Sequence, residues 1–247
     1  MLDVLQFKML RKIAPVSPKT LDPSNYEGKS KMRVLLGEEL LRLVQDKTVI
    51  DFGCGNGLAT LDLARAGAKK VIGIDILENA LQEASARAEA AGLADRCEFT
   101  TRTDTKADAI VSLDAFEHFG EPDAILAIMH SLLKPGGFVM ASFGPTWYHP
   151  LGGHLFSVFP WAHLIFSERA LIRWRADVRP DGATRFAEVE GGLNQMTIAR
   201  FERLVAASSF QIEMIETVPI RPLRRVHNRL TREFTTAIVR VKLVAKG

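Results

Sequence analysis

One stretch of this sequence, Val49-Ile50-Asp51-Phe52-Gly53-Cys54-Gly55-Asn56-Gly57, predicts a buried strand that turns into a helix through three alternate glycines. Glycine is needed at such a turn because the chain must reverse sharply and let its backbone lie against a ligand, which a Cβ would obstruct. The spacing is Gly-x-Gly-x-Gly, whereas dinucleotide enzymes place a pyrophosphate on a Gly-x-Gly-x-x-Gly turn. The stretch therefore predicts a ligand site at the end of a strand, and its spacing argues against a dinucleotide.

Two carboxylates extend this predicted site. Asp75 ends the next strand, Val71-Ile72-Gly73-Ile74-Asp75, about 20 residues further on, where a carboxylate can accept both hydroxyls of a ribose. Asp114 ends the fourth predicted strand, beside the switch point at which open α/β sheets bind ligands. Asp75 also has a simpler interpretation, as the cap of the helix that follows it.

The residues from Thr48 to Phe143 alternate β-branched runs with Ala- and Leu-rich stretches, which is the pattern of βαβ units in a parallel sheet. We predict strands at Thr48–Phe52, Lys70–Asp75, Cys97–Thr101, Ala109–Asp114 and Gly137–Phe143, and helices at Leu58–Ala66, Glu78–Ala91 and Pro122–Leu133. The link from Arg102 to Asp108 is shorter than the dozen or more residues that a parallel crossover takes. It indicates a truncated loop or a shifted strand boundary.

The pattern changes after Phe143. Residues 144–192 are rich in Pro, aromatic residues and His, which indicates an insertion; a helix at Thr197–Ala206 and strands at Phe210–Val218 and Glu233–Val244 follow. We therefore expect one domain, with a helical cap at 1–46, a core at 47–143, an acceptor-side insertion at 144–192 and a C-terminal part at 193–247 that completes the sheet. The two last strands are joined by a stretch that carries Arg221, Arg224, Arg225, Arg229 and Arg232.

The glycine turn, Asp75 and the later turn Leu133-Lys134-Pro135-Gly136-Gly137 together resemble the class I, Rossmann-like S-adenosylmethionine-dependent methyltransferases, in the branch that acts on small molecules. The resemblance covers about Thr48 to Phe143. It implies an α/β, Rossmann-like three-layer sandwich, with a seven-stranded, mostly parallel sheet whose last strand is antiparallel and a lid insertion after strand 5. It also implies S-adenosyl-L-methionine as cofactor and S-adenosyl-L-homocysteine as product.

The same resemblance assigns roles to the site residues. The glycine turn would lie under the methionine part of the cofactor, Asp75 would hold the ribose, and Ile76 would pack on the adenine. Asp51 would orient the loop or the cofactor ammonium, although a carboxylate that only caps the turn is the alternative. The predicted cofactor-binding residues are Asp51, Gly53, Cys54, Gly55, Asn56, Gly57, Asp75, Ile76, Thr103 and Asp114.

Three histidines are candidates for the acceptor side. A methyl group on a sulfonium is already electrophilic, so transfer mainly needs an oriented acceptor, and a hydroxyl acceptor gains from a general base. His118 follows the fourth strand and is the candidate base, because an imidazole is the side chain best suited to proton transfer at neutral pH, although a structural histidine that caps a helix is the alternative. His149 and His154, in the insertion, are predicted to position or deprotonate the acceptor.

A metal site is the alternative for Asp114, Glu117 and His118. This segment is faintly similar to the Glu-x-x-Glu-His signature of ubiquinone-pathway O-methyltransferases, in which such groups hold a divalent ion. Neighbouring positions on a helix point in different directions, and His149, His154 and His163 match no common ligand spacing. We predict no metal.

Composition restricts the partners and the compartment. The chain has 247 residues, a formal net charge of +3 and two cysteines without paired spacing, which fits a reducing, cytoplasmic compartment and does not indicate a polyanion partner. The first 15 residues lack the apolar centre of a signal peptide, and no segment reaches the roughly 20 apolar residues that span a bilayer. No nucleic-acid module is recognisable, and the sequence does not predict the oligomeric state.

The sequence thus predicts methyl transfer to a hydroxyl, or an amine, of a small or amphipathic acceptor. Two alternatives stay open: a methyltransferase on a lipid, quinone or glycan intermediate at a membrane face, and a cofactor-binding protein of the same fold without transfer activity. Peripheral membrane contact is suggested by the apolar insertion, the amphipathic amino terminus and the arginines. The segment Tyr26–Lys31 is expected either to close over the cofactor or to form a plain surface helix.

Overall fold

The structure is a computed structural model that describes residues 2–14, 31–37, 39–177, 179–189 and 191–247. The segment at Tyr26–Lys31, which was expected to cover the cofactor or to form a surface helix, lies outside these residues except for the backbone of Lys31. Among the described residues, no helix is both long enough and apolar enough to cross a bilayer.

Seven strands form one sheet in the order β3-β2-β1-β4-β5-β7-β6, in which β7 runs antiparallel to both of its neighbours. The predicted mostly parallel sheet with an antiparallel last strand is therefore confirmed. The strands are β1 (Thr48–Phe52), β2 (Lys70–Ile74), β3 (Cys97–Thr100), β4 (Ala107–Leu113), β5 (Leu133–Phe143), β6 (Phe210–Pro219) and β7 (Thr236–Ala245).

Helices pack on both faces of the sheet and continue into the insertion. They are α1 (Leu2–Ile13), α2 (Lys31–Leu36), α3 (Glu39–Leu43), α4 (Leu58–Arg65), α5 (Glu78–Ala90), α6 (Pro122–Leu132), α7 (Ala162–Ile165), α8 (Glu168–Ala176), α9 (Ile198–Ala207) and α10 (Arg232–Thr235). Short 3-10 turns occur at His154–Phe156, Phe186–Glu188 and Arg221–Val226.

Because the central strands are mainly apolar, helices bury both faces of the sheet in hydrophobic cores. Successive side chains of a strand point to opposite faces, so Val49 packs with the α2 and α4 side while Ile50 packs with the α6 and α9 side. Both side chains are fully buried. The site at the end of β1 therefore stands on a strand that is held from both sides.

The link between β3 and β4 is a truncated loop without a helix. Residues 101–106 carry this connection, although β2 and β1 lie between the two strands. Through the pairing register of β2 and β1, Thr100 at the end of β3 lies level with Ser112 near the end of β4. The link must therefore cross three strand spacings, about 14 Å, and return along the strand direction by about 16 Å to Ala107. That is about 22 Å of the roughly 24 Å that seven Cα steps can span, so the link is close to full extension.

The last connection differs from the prediction. Glu233–Thr235 was predicted as strand, whereas α10 occupies these residues and β7 begins at Thr236. The reason is a tertiary contact, because the Glu233 carboxylate accepts the backbone amides of Ile198 (3.1 Å) and Ala199 (2.8 Å) at the start of α9. Glu233 thereby satisfies donors that a helix start leaves without partners.

The insertion forms a second core together with α1. Aromatic side chains of the insertion bury against α1 and α8, among them Phe156, Trp174 and Phe186. The Trp174 indole Nε1 donates to the carbonyl of Ala14 at 2.8 Å. Many aromatic rings of the insertion therefore pack on one another.

Substituting Gly57 tests how closely the turn packs. Gly57 has φ +79°, and a Cβ added there would lie 2.7 Å from Ala84 Cβ. Gly92 has φ +66°, and a Cβ added there would have no atom within 4 Å. Both alanine variants carry the cost of a left-handed conformation, and only Gly57→Ala adds an overlap. We expect Gly57→Ala to lower the free energy of unfolding in urea by about 1–3 kcal/mol more than Gly92→Ala. Equal losses would contradict the packing.

Candidate cofactor and acceptor site

The glycine turn lies against the carboxyl end of β2. Gly53, Gly55 and Gly57 have φ values of +81°, +51° and +79°, a region that L side chains rarely adopt. The amides of Gly53 and Cys54 both donate to the carbonyl of Ile74, at 2.8 and 3.0 Å. Backbone hydrogen bonds therefore hold the turn against β2. At Gly55, no protein atom lies within 4 Å of the position that a Cβ would occupy.

The Asp75 side chain connects the end of β2 with the glycine turn and with the residue before α5. Its carboxylate accepts the amide of Gly55 at 2.8 Å and the amide of Leu77 at 3.0 Å. It therefore fastens the turn and also holds the amide of Leu77, the residue before α5, in a local turn. An ionised carboxylate has about four acceptor positions, so these two bonds leave room for a ligand's hydroxyl groups.

Apolar side chains lie exposed around this carboxylate. Ile76 is 87% exposed, and Leu58 and Leu77 are each more than half exposed. An exposed aliphatic surface next to a carboxylate suits a nucleoside, because the flat base can cover the apolar atoms while the ribose hydroxyls reach the acid. Asn56, half-buried, lies within the turn.

Asp51 and Cys54 face into the fold. Asp51 is 1% exposed, and its carboxylate accepts the Thr60 hydroxyl of α4 at 2.6 Å. Burial, followed by the negative charges of Asp51 and Asp75, raises the pKa of the Cys54 thiol far above its usual range. Cys54 is thus a neutral packing side chain beneath the turn, and Asp51 attaches the first turn of α4 to β1.

Thr103 and Asp114 follow β3 and β4, two strands that are not adjacent in the sheet. The Thr103 hydroxyl accepts the amide of Thr105 at 3.2 Å, within the extended link after β3. Asp114 follows β4 with φ +47°, and its amide donates to Ser142 of β5 at 2.9 Å. The sheet order separates the two, because β2 and β1 lie between their strands.

His118 lies in a rigid loop beyond β4. Its Nδ1 hydrogen-bonds the carbonyl of Gly192 at 2.8 Å. The Asn194 side chain donates to the carbonyls of Phe116 (2.6 Å) and Phe119 (2.8 Å), on either side of His118. Since a carbonyl only accepts, Nδ1 carries the proton in the neutral ring, and Nε2 keeps its lone pair.

His154 packs against His118 with the ring centroids 5.2 Å apart. It hydrogen-bonds the backbone of Pro145, which can only accept, while its buried Nε2 has no hydrogen-bond partner among the described residues. Burial, followed by the nearby His118, lowers the pKa of His154 to about 4. Two imidazoles that are oriented alike by backbone carbonyls therefore meet at this point.

His149 and His163 are engaged in local structure. The His149 Nδ1 accepts the amide of Leu151 at 2.9 Å, and burial lowers its pKa to about 4. His163 is buried, with Nε2 at 2.6 Å from the carbonyl of Trp147 and Nδ1 at 3.2 Å from the Ser157 hydroxyl. The structure therefore brings His118 and His154 together, whereas His149 stabilises a turn of the insertion.

Sequence reasoning missed the residues that hold His118. Glu117, which is 2% exposed, accepts the amide of Gly144 at 3.1 Å, and its own carbonyl accepts the amide of Asn194. The pair Gly191 and Gly192, both at positive φ, was the only local signal, because adjacent glycines mark a backbone that must turn sharply. Among the described residues, no group of three or more His, Cys, Asp or Glu side chains is placed to hold a metal ion.

The lowered pKa of His154 predicts a loss of stability in acid. Between pH 6.5 and about 4 the unfolded chain binds a proton at this histidine that the folded chain does not bind, so stability falls as the pH falls through this range. In His154→Asn, which tolerates the positive φ of this position, the loss of unfolding free energy from pH 7 to pH 5 should be smaller by roughly 1–2 kcal/mol. An unchanged loss would contradict the burial of His154.

Parts of this chain are similar in sequence to known proteins. Residues 43–155 match a protein family described as a methyltransferase domain. The ribosomal protein L11 methyltransferase of Colwellia psychrerythraea is 50% identical over 72 residues, which cover 28% of this chain and 25% of that protein. The ubiquinone biosynthesis O-methyltransferase of Cereibacter sphaeroides is 33% identical over 136 residues, which cover 47% of this chain and 55% of that protein. The chain thus spans between a quarter and about half of these relatives.

The whole fold has a counterpart among solved structures. The magnesium protoporphyrin IX methyltransferase of Synechocystis, crystallised with S-adenosylhomocysteine, superposes with a TM-score of 0.54 at 18% identity, covering 99% of this chain and 95% of that one. Such low identity shows a common fold. The chain therefore shares the fold of that structure, and its residues 43–155 match a methyltransferase domain.

Proposed function

We propose that the chain binds S-adenosyl-L-methionine at the glycine turn and transfers its methyl group to a hydroxyl, or an amine, of a small or amphipathic acceptor. The observation that carries this proposal is the attachment of the turn to Asp75 beside the exposed Ile76. It offers a polar group for a ribose and an apolar surface for a base within one short stretch of chain.

The cofactor's parts fit the residues present. Asp75 would accept the ribose hydroxyls, Ile76 would lie against the adenine, and Thr103 would approach the adenine from the link after β3. The open side of Gly55 leaves room for the methionine part, and Asp114 supplies a carboxylate near its ammonium group. When bound, S-adenosylmethionine supplies a methyl group on a positively charged sulfur, which is already electrophilic.

His118 is the proposed general base. Its Nδ1 donates to the carbonyl of Gly192, so the lone pair of Nε2 is available to take the proton of an acceptor hydroxyl. Asn194 and Glu117 hold the loop in place and act as positioning residues. A base held in one tautomer and one orientation loses little freedom when the acceptor binds.

His154 and His149 are proposed to orient the acceptor. The Nε2 of His154 is buried without a hydrogen-bond partner among the described residues, so an acceptor hydroxyl can donate to it. In His149 the bond from Leu151 occupies Nδ1, which leaves the Nε2 hydrogen as a donor. With both pKa values lowered to about 4, neither ring carries a charge at neutral pH that would repel the cofactor sulfonium.

Replacing Asp75 tests the cofactor site. Asp75→Asn keeps the size of the side chain and removes the charge and one acceptor oxygen, so affinity for S-adenosylhomocysteine in calorimetry should fall at least tenfold, a loss of about 1.4 kcal/mol. The control Asp95→Asn changes an exposed aspartate in the turn before β3 and should bind as the parent does. If the parent bound neither S-adenosylmethionine nor S-adenosylhomocysteine, the proposal would fail.

Replacing His118 tests the base. His118→Gln should lower turnover of a hydroxyl acceptor by about a hundredfold or more while S-adenosylhomocysteine binding stays unchanged, because general bases typically contribute at least this factor. Turnover is measured as S-adenosylhomocysteine release with phenols, carboxylate-bearing alcohols and amines, and His130→Gln, on α6, is the control. Unchanged turnover in His118→Gln would reject His118 as the general base. Intact cofactor binding without S-adenosylhomocysteine release from any acceptor would favour a cofactor-binding protein without transfer activity.

A further inference from the structure

Exposed apolar side chains are concentrated in three segments. Among the described residues, sixteen large apolar side chains are exposed, and twelve of them lie in α1, in residues 148–165 or in residues 226–234. Three others surround the glycine turn, and Ile128 lies on α6. Soluble monomers rarely expose apolar side chains in contiguous groups unless something binds there.

The helix α1 has two apolar faces, and only one of them packs on the protein. Phe7 and Leu10 are buried against the insertion. A second set recurs at intervals of three and four residues, which places it on a different side of the helix. This exposed stripe consists of Leu2, Leu5, Met9 and Ile13, each more than half exposed.

Basic side chains border this stripe. Lys8 and Lys12 are exposed and four residues apart, so they lie one above the other beside Leu5 and Met9. Arg11, further around the helix, forms an ion pair with Asp177 at 3.4 Å. An apolar stripe with lysines along its border is the pattern of a helix that lies in the interface of a membrane.

Contacts through the insertion connect α1 to residues 221–234, the arginine segment. The Ser167 hydroxyl donates to Asp3 at 2.7 Å, and the Ser167 amide donates to Gln6 at 2.9 Å. Helix α7, which carries the exposed Leu164 and Ile165, ends two residues before Ser167. The Trp161 indole, just before α7, donates to the carbonyl of Tyr148 at 2.9 Å. The Tyr148 ring packs on Phe234 with the centroids 5.3 Å apart.

The arginine segment, residues 221–234, combines the same two kinds of side chain. Leu230 is 91% exposed, and Val226 and Phe234 are also exposed. Four exposed arginines lie among them: Arg221, Arg224, Arg225 and Arg229. The segment follows β6, which runs parallel to β5, so it lies at the carboxyl edge of the sheet where the glycine turn also lies.

We propose that α1, α7 and the arginine segment together form a surface that docks on a bilayer containing anionic phospholipids. Aliphatic side chains of this surface enter the headgroup region, and the basic side chains pair with lipid phosphates. The twelve residues of α1 are too few to span a bilayer, which takes about 20, so the helix lies in the plane of the membrane. A bilayer fits better than RNA, because the cations alternate with aliphatic side chains that do not stack on bases.

Docking places the proposed acceptor site near the lipid. This consequence rests on the proposed function, since it requires that a methyl acceptor reach the carboxyl edge of the sheet. An acceptor with an apolar tail could then stay partly in the bilayer while its polar end approaches His118. The docking itself involves none of the residues assigned to the cofactor.

Vesicle flotation of the full chain tests the surface. The chain should float with vesicles of phosphatidylcholine and phosphatidylglycerol, and at least tenfold less with phosphatidylcholine alone or in high salt. Leu5→Glu/Met9→Glu changes only exposed side chains, so folding should be retained while the bound fraction falls at least tenfold. Lys8→Glu/Lys12→Glu should lose binding to the anionic vesicles. The matched control, Ile128→Glu, places a charge on an exposed apolar site of α6 and should float as the parent does.

Three outcomes would overturn the proposal: no flotation with anionic vesicles, equal flotation of Leu5→Glu/Met9→Glu and parent, or a dimer in light scattering that Met9→Glu dissociates without any flotation. The last would assign the stripe to a second copy of the chain. Calorimetry with S-adenosylhomocysteine on the same variants keeps the two proposals apart. Normal cofactor affinity without flotation rejects docking alone, and flotation without cofactor affinity rejects the proposed function alone.

Discussion

Three backbone amides hold the glycine turn to the carboxyl end of β2. Gly53 and Cys54 donate to Ile74, and Gly55 donates to the Asp75 carboxylate. Positive φ values at Gly53 and Gly55 let the chain make these bonds, and the missing side chain at Gly57 lets α5 approach the turn closely. This close approach is between Gly57 and Ala84. Hydrogen bonds within the protein therefore connect the turn with α4 and with the residues around Asp75.

The proposed acceptor side is built differently, by contacts between distant parts of the chain. His118 depends on Gly192, 74 residues later, and the loop that carries it depends on Asn194. Glu117 in turn binds the amide of Gly144, where the insertion begins. The proposed cofactor side is thus determined by contacts close to the glycine turn, whereas the proposed acceptor side depends on contacts between the insertion and the core.

This difference explains what the sequence could predict. The bounds of β1 were predicted at both ends, because a short buried run and a glycine turn are local signals. The docking of α1 on the insertion was missed, since Asp3 and Ser167 are 164 residues apart and no periodicity relates them. Glu233–Thr235 was predicted as strand because local preference cannot register that Glu233 caps α9. The candidate histidines were found by residue type, but their tautomers follow from carbonyls that only the fold supplies.

The taut link between β3 and β4 restricts how this domain can vary in length. Six residues that already use nearly all of their reach have no slack, so losing one would pull β3 or β4 out of register with its neighbours. Added residues would meet no such resistance, since loop closure costs little for each extra residue. Relatives that differ at this point should therefore be longer, and the space beside the end of β3 should be where such domains acquire extra structure.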